Sequence, residues 1–122
     1  MITYGVRNGT FSHTGSVFAT GCFSGHGIGF NNPDQESLKG IGPIPRGMWS
    51  IGIMQDHPHL GPDVMHLSPL QGTNTFGRTG LFIHGDYMGD LKHDASDGCV
   101  VANRSARLLV NAMVERRLQV VD

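Results

Sequence analysis

Apolar and polar residues alternate in short runs along this chain, and turn-forming residues separate the runs. Residues 2–7 and 10–13 flank Asn8-Gly9, the dipeptide that most strongly favours a tight hairpin. A second turn at Thr14-Gly15 leads into Ser16–Phe23, so residues 2–23 read as a three-stranded meander. From Ser24 to Gly42 the sequence is dense in turn formers without a sustained period, and reads as loop. Met48–Ile53 alternates as a strand, His57–Pro62 is a turn, and Asp63–Leu70 alternates again. After the polar stretch Gln71–Thr79, Gly80–His84 and Val100-Val101 are apolar runs of the buried-strand type.

Only one segment has helical spacing. From Ser105 to Arg117, Leu108/Leu109, Ala112/Met113 and Arg116 recur on one face, with Asn103 or Ser105 as the cap. Leu118–Val121 then reads as a last strand. The expectation is a mainly β, sandwich- or barrel-like body with one helix near the C-terminus. With no linker to divide it, the chain forms a single domain over residues 1–122.

Composition narrows the function classes. Eighteen glycines lie along the 122 residues without a fixed period, which fits many turns and excludes a collagen-like or repeat architecture. A net charge of −1 provides no electrostatic footprint for nucleic acid or an anionic membrane. The first ten residues lack a basic segment followed by an apolar one, and no run approaches membrane-spanning length. The chain is therefore expected to be made in the cytoplasm without a Sec leader. Cys22 and Cys99 are too few for a disulfide framework, and Cys22 lies in an apolar run where a buried thiol is the usual reading.

The candidate chemistry lies between Leu81 and Asn103. A thiol attacks well only once deprotonated, and an imidazole within hydrogen-bond reach is the usual activator at neutral pH. If Leu81–Ile83 and Val100-Val101 pair as neighbours, His84 and Cys99 come to the same end of the sheet. Gly98 allows close approach, and its turn can aim the amides of Gly98 and Cys99 at one point as an oxyanion hole. Ser96 can orient that turn or hydrogen-bond substrate. Taken alone, a cysteine after glycine is more often structural than catalytic.

His84-Gly85 followed by Ser96-x-Gly98-Cys99 resembles the signature of the L,D-transpeptidase (YkuD-like) catalytic domain. Pro45-Arg46-Gly47-Met48-Trp49 resembles that family's Pro-x-Gly-x-aromatic strand. The whole chain is most similar to the compact L,D-transpeptidase-related effectors of type VI secretion systems. Shared elements include Asn31-Asn32-Pro33-Asp34, Gly42-Pro43-Ile44-Pro45, Gly77-Arg78-Thr79 and Gly98-Cys99-Val100-Val101. Two positions depart from the wider family: Asp97 stands where it usually has His, and Val101 where it usually has Arg. Arg78, Arg104 or Arg107 could supply the missing cation.

The resemblance implies a cysteine acyltransferase or peptidase acting on peptidoglycan stem peptides. Its catalytic set would be Cys99, His84, Ser96, Gly98 and Gly85; Trp49, His66, Arg78, Asp86 and Asp97 would bind substrate. It implies no cofactor. A backbone carbonyl near Gly85, or the Asp86 carboxylate, would orient His84. Because peptidoglycan lies outside the cytoplasm, the enzyme would be delivered to a target bacterium's periplasm by a secretion system. Its partners would be a secretion component and a neutralising immunity protein. A phage lysis enzyme is the nearest variant.

Two rival readings come from the residues themselves. His57-x-His59, His84-x-Asp86 and His93-Asp94 have ligand-like spacing, but no HExxH or paired CxxC motif accompanies them, so no metal site is assigned. A non-enzymatic β module of a phage tail or secretion apparatus, with Cys99 merely buried, is the other.

Overall fold

The computed structural model describes residues 1–85 and 96–122. The strands are β1 (Ile2–Gly5), β2 (Thr10–His13), β3 (Ser16–Ala19), β4 (Phe23–Ser24), β5 (Gly47–Ile51), β6 (Gln55–His57), β7 (Gly61–Pro69), β8 (Leu81–His84), β9 (Val100–Val101) and β10 (Arg117–Val121). One helix, α1 (Arg104–Ala112), lies between β9 and β10. The strands form one mixed sheet in the order β3-β2-β1-β10-β5-β7-β8-β9-β4, with β6 paired to β7 off this path. Pairs β1–β10 and β8–β9 are parallel; the other pairs are antiparallel.

This order forces the sheet to curl. β3 and β4 stand at opposite ends of it, yet Ala19 and Phe23 are only four residues apart in the chain. Four extended residues span at most about 14 Å, whereas nine strands laid flat would be on the order of 40 Å wide. The expected sandwich- or barrel-like body is therefore an open sheet rolled until its two edges approach. The roll encloses Ile2, Tyr4, Phe11, Ile44, Trp49, Met65, Leu67, Ile83 and Leu118, all essentially inaccessible to solvent.

Several sequence-based boundaries need correction. The first strand ends at Gly5 because the Val6 and Arg7 amides donate to the carbonyls of Val121 and Asp122 instead. Ser16–Phe23 is two strands, since Cys22 N–H donates to Gly9 O and carries the chain across to β9. Gln55–His57 forms a short strand where none was expected. The Ser24–Gly42 stretch contains two 3-10 turns, Gly27–Gly29 and Pro33–Gln35. The helix begins as expected, with the Asn103 side chain accepting from the Ala106 amide, but stops at Ala112 rather than Arg117. There Arg116 donates to the carbonyls of Asn111, Met113 and Gly52, which turns the chain into β10. The helix buries Ala106, Arg107 and Val110.

Candidate active site

Leu81–Ile83 and Val100-Val101 are neighbours, as their apolar character suggests, but they run parallel. Ile83 pairs with Val100 and His84 with Val101. By continuation of that register Cys99 lies beside Phe82. His84 and Cys99 are therefore not abreast at one strand end: they are offset by two residues along the same face. In β8, Leu81 and Ile83 face the core, while Phe82 and His84 point to the half-buried side.

The Cys99 sulfur sits against the first residues of β8. Phe82 N–H donates to Sγ at 3.3 Å, and Sγ lies 3.9 Å from Gly80 O. Burial pushes the thiol up to about 11; the adjacent Asp97 charge adds to this, and the Phe82 amide and Arg78 charge oppose it. Before substrate binds, the thiol is thus protonated at neutral pH.

The turn that carries Cys99 is fastened at every carbonyl. His26 Nδ1–H donates to Ser96 O at 2.9 Å, and Arg78 Nη2 to Asp97 O at 3.1 Å. Ser24 Oγ donates to Gly98 O at 3.0 Å, and Ser96 Oγ to Cys99 O at 2.6 Å. Ser96 also accepts from Gly98 N–H at 3.1 Å, so its hydroxyl orients the turn. This bears on the expected oxyanion hole: the Gly98 amide is already donated to Ser96 Oγ. Glycine is required at position 98, because its φ is +121° and a Cβ would lie 2.1 Å from Arg78 Nη2.

Arg78 was read as a substrate-binding cation, and the structure gives it another task. It is 3% exposed, and Nη1 donates to Glu36 O and Pro43 O, each at 2.6 Å. Nη2 donates to Gly42 O at 2.8 Å as well as to Asp97 O. Its guanidinium thus clasps the 36–43 segment to the cysteine turn. Burial pulls it below the usual arginine range, and the nearby Cys99, Asp97 and Glu36 work against that.

His84 Nδ1 lies 2.7 Å from Gly85 O. A carbonyl only accepts, so the proton resides on Nδ1 and the basic lone pair on Nε2. Of the two orienting groups expected, the Gly85 carbonyl is present; Asp86, His93 and Asp94 lie outside the described residues. The Arg107 guanidinium packs onto Gly85 so closely that a Cβ there would be 2.2 Å from Nη1. Arg104 is remote from the turn and bridges to Asp63 at the surface.

Two cavities flank the start of β8. One, of about 200 Å³, is lined by Trp49, His66 and Arg78 together with Thr79, Gly80 and Leu81, so three of the expected substrate-binding residues share it. Trp49 forms wall only, being 1% exposed with its indole N–H donated to Pro45 O. His66 is exposed; its ring lies 4.9 Å from that of Phe82, and its Nδ1 is 3.2 Å from Ser68 Oγ. The other cavity, of about 250 Å³, is lined by Lys39, Gly40, Arg78, Thr79, Leu81 and Asp97. The His57-x-His59 pair is used locally, since His57 Nδ1 accepts from the His59 and Leu60 amides. Both cysteines are free thiols.

Ser24 and His26 are site residues that the sequence did not reveal. They lie in an aperiodic glycine-rich stretch about 70 residues before the turn they hold, and no local pattern links the two.

This rolled mixed sheet, with a cysteine turn against a histidine-bearing strand, is the fold of the L,D-transpeptidases. An L,D-transpeptidase from Mycobacterium smegmatis superposes with a TM-score of 0.56 at 15% identity, over 99% of this chain and 58% of that one. An L,D-transpeptidase from Xylanimonas cellulosilytica gives 0.57 at 17% identity, over 98% and 59%. The Ldtfm–avibactam carbamoyl enzyme gives 0.55 at 17%, over 99% and 48%. The chain thus spans about half to three-fifths of the length of these structures. No curated protein matches it. The sequence profile of the Tlde1 domain matches residues 19–122, and the chain belongs to the Tlde1 domain family. The resemblance drawn from His84-Gly85 and Ser96-x-Gly98-Cys99 is borne out for family and fold. Among the described residues no helix is long and apolar enough to cross a membrane.

Proposed function

We propose that this domain is a peptidoglycan-modifying cysteine acyltransferase that cleaves the meso-diaminopimelate–D-Ala bond of tetrapeptide stems. One observation carries the reading: the Cys99 sulfur, on a turn fastened at four consecutive carbonyls, lies against the first residues of the strand that carries His84. A scaffold this constrained suits a nucleophile that must meet a carbonyl in one geometry.

In the first half-reaction Sγ attacks the carbonyl between the L-centre of diaminopimelate and D-Ala, while His84 Nε2 takes the thiol proton. The thiol's raised affinity for its proton supports removal in concert with attack rather than a standing thiolate. The Cys99 amide faces the developing oxyanion. The C–N bond then breaks, the imidazolium returns its proton to the departing D-Ala amine, and a thioester remains. In the second half-reaction an acceptor gives its proton to His84 and displaces Sγ. Water gives L,D-carboxypeptidase activity, a D-amino acid gives exchange, and a second stem gives a 3→3 crosslink.

Membership of the Tlde1 domain family and the shared motifs from Asn31 to Val101 support a role as an antibacterial effector. It would act in the periplasm of a target cell after secretion-system delivery and be countered by an immunity protein. Mass spectrometry of tetrapeptide muropeptides incubated with the wild type and Cys99→Ala tests the chemistry. Loss or exchange of one D-Ala that depends on Cys99 is the expected result. Intact muropeptides with a folded wild-type sample would overturn it.

A further inference from the structure

The larger of these two cavities, beside the cysteine turn, carries two opposite charges that are not paired with each other. Lys39 and Asp97 both line it, and both are exposed. Among the described residues neither side chain makes a hydrogen bond or ion pair, and the two do not approach within 4.0 Å of each other. This contrasts with the rest of the surface, where Arg46 pairs with Glu36 and Asp122, Arg104 with Asp63 and Arg117 with Glu115. The Asp97 backbone cannot swing away, since Arg78 holds its carbonyl. The wall between the charges is supplied by Arg78, Thr79 and Leu81. All of the Arg78 hydrogen bonds go to backbone carbonyls, so the Asp97 carboxylate, though within its electrostatic reach, is not hydrogen-bonded to it.

We infer that Lys39 and Asp97 form a subsite for an α-amino-acid zwitterion, with the ligand carboxylate at Lys39 and its ammonium at Asp97. A volume of about 250 Å³ suits a group of that size, being below the range that holds larger ligands, roughly 300–1,000 Å³. Two charges held apart by a fixed wall also discriminate: a ligand with only one of the two leaves the other unpaired. On the acyl-transfer reading, on which the identity of the ligand rests, two sources have this chemistry. One is the free amino-acid end of the diaminopimelate side chain, and the other is a free D-amino acid acting as acceptor.

The test measures binding, so that it does not depend on turnover. Calorimetric titration of Cys99→Ala protein would use D-alanine in one arm and a diaminopimelate-containing tripeptide stem in the other. The second arm is repeated with the diaminopimelate amine acetylated. At least one zwitterionic ligand is expected to bind, and Lys39→Gln or Asp97→Asn should each weaken it tenfold or more. If the stem is the source, acetylation should mimic Asp97→Asn; if the free amino acid is, only the D-alanine arm should respond. Both substitutions are at exposed side chains, and unchanged thermal melting would show that the fold is intact. Binding of both ligands unchanged within twofold in both variants would overturn the subsite, as would absence of binding to the unsubstituted pocket. Failure of the acyl-transfer reading shows separately, as intact muropeptides with the wild-type enzyme.

Discussion

Arg78 offers the sharpest test of how the site is held. Its two terminal nitrogens reach four buried carbonyls, those of Glu36, Gly42, Pro43 and Asp97, at 2.6–3.1 Å. Arg78→Lys keeps the charge but replaces two donor nitrogens with one, so a single ammonium cannot reach both pairs of acceptors. About two carbonyls should lose their partner. At about 1–3 kcal/mol for each orphaned group, the loss is about 2–6 kcal/mol, a large part of the roughly 5–15 kcal/mol typical of a domain. The companion variant Arg78→Met removes the charge as well. Urea unfolding reads the first effect, as a lower midpoint at unchanged slope. The pH dependence of Cys99 alkylation, measured in a Cys22→Ala background, reads the second. Arg78→Lys should retain the wild-type alkylation curve, whereas Arg78→Met should move it to higher pH, because the arginine charge opposes the rise of the Cys99 thiol. A wild-type midpoint for Arg78→Lys would refute the clasp. An unmoved curve for Arg78→Met would refute its electrostatic part.

Three further outcomes are expected. Burial pushes both Cys22 and Cys99 up to about 11; between about pH 9 and 11 the folded chain retains protons that the unfolded chain has released, so stability falls as pH rises through that window. Urea midpoints at about pH 8 and 10.5 should show the fall, and the Cys22→Ala, Cys99→Ala double variant should largely abolish it. Gly98→Ala places a Cβ 2.1 Å from Arg78 Nη2 at φ +121°, and should cost about 2 kcal/mol or more with loss of activity; an unchanged melting temperature would contradict this. Ser24→Ala strands the Gly98 carbonyl and the Ile44 amide, both of which meet its buried hydroxyl, and should lower stability by about 2–6 kcal/mol in denaturant titrations.

Where a run is short and its neighbours along the chain decide its fate, the sequence was a good guide. The strands on either side of Val6–Gly9, the apolar face of Leu81 and Ile83, and the Asn103 cap all depend on nearby residues. The parallel sense of β8 and β9 was not legible, because direction is set by the path of the connecting segment rather than by either strand. Nor was the break at Thr20–Cys22: Ser16–Phe23 reads as one largely apolar run, and what divides it is pairing with Val100-Val101 about 80 residues later. The clasp made by Arg78 was missed for a related reason. A lone arginine beside glycine and threonine looks available to substrate, and only the fold reveals the four carbonyls that surround it. In the same way Ser24 and His26 acquire their roles from a turn that local sequence cannot connect to them.

The parallel pairing of β1 with β10 sets Ile2 against Leu118 and Gly5 against Val121. More than a hundred residues separate these two strands along the chain, so the middle of the sheet cannot close until both have been made. Until β10 is in place, β1 and β2 are a bare hairpin and β5 lacks a neighbour on one side. Contacts of such long range slow folding, and edges left open in the meantime invite pairing with other chains. The β1–β10 pairing is thus the seam that joins β3-β2-β1 to the rest of the sheet, including the strands that flank Cys99.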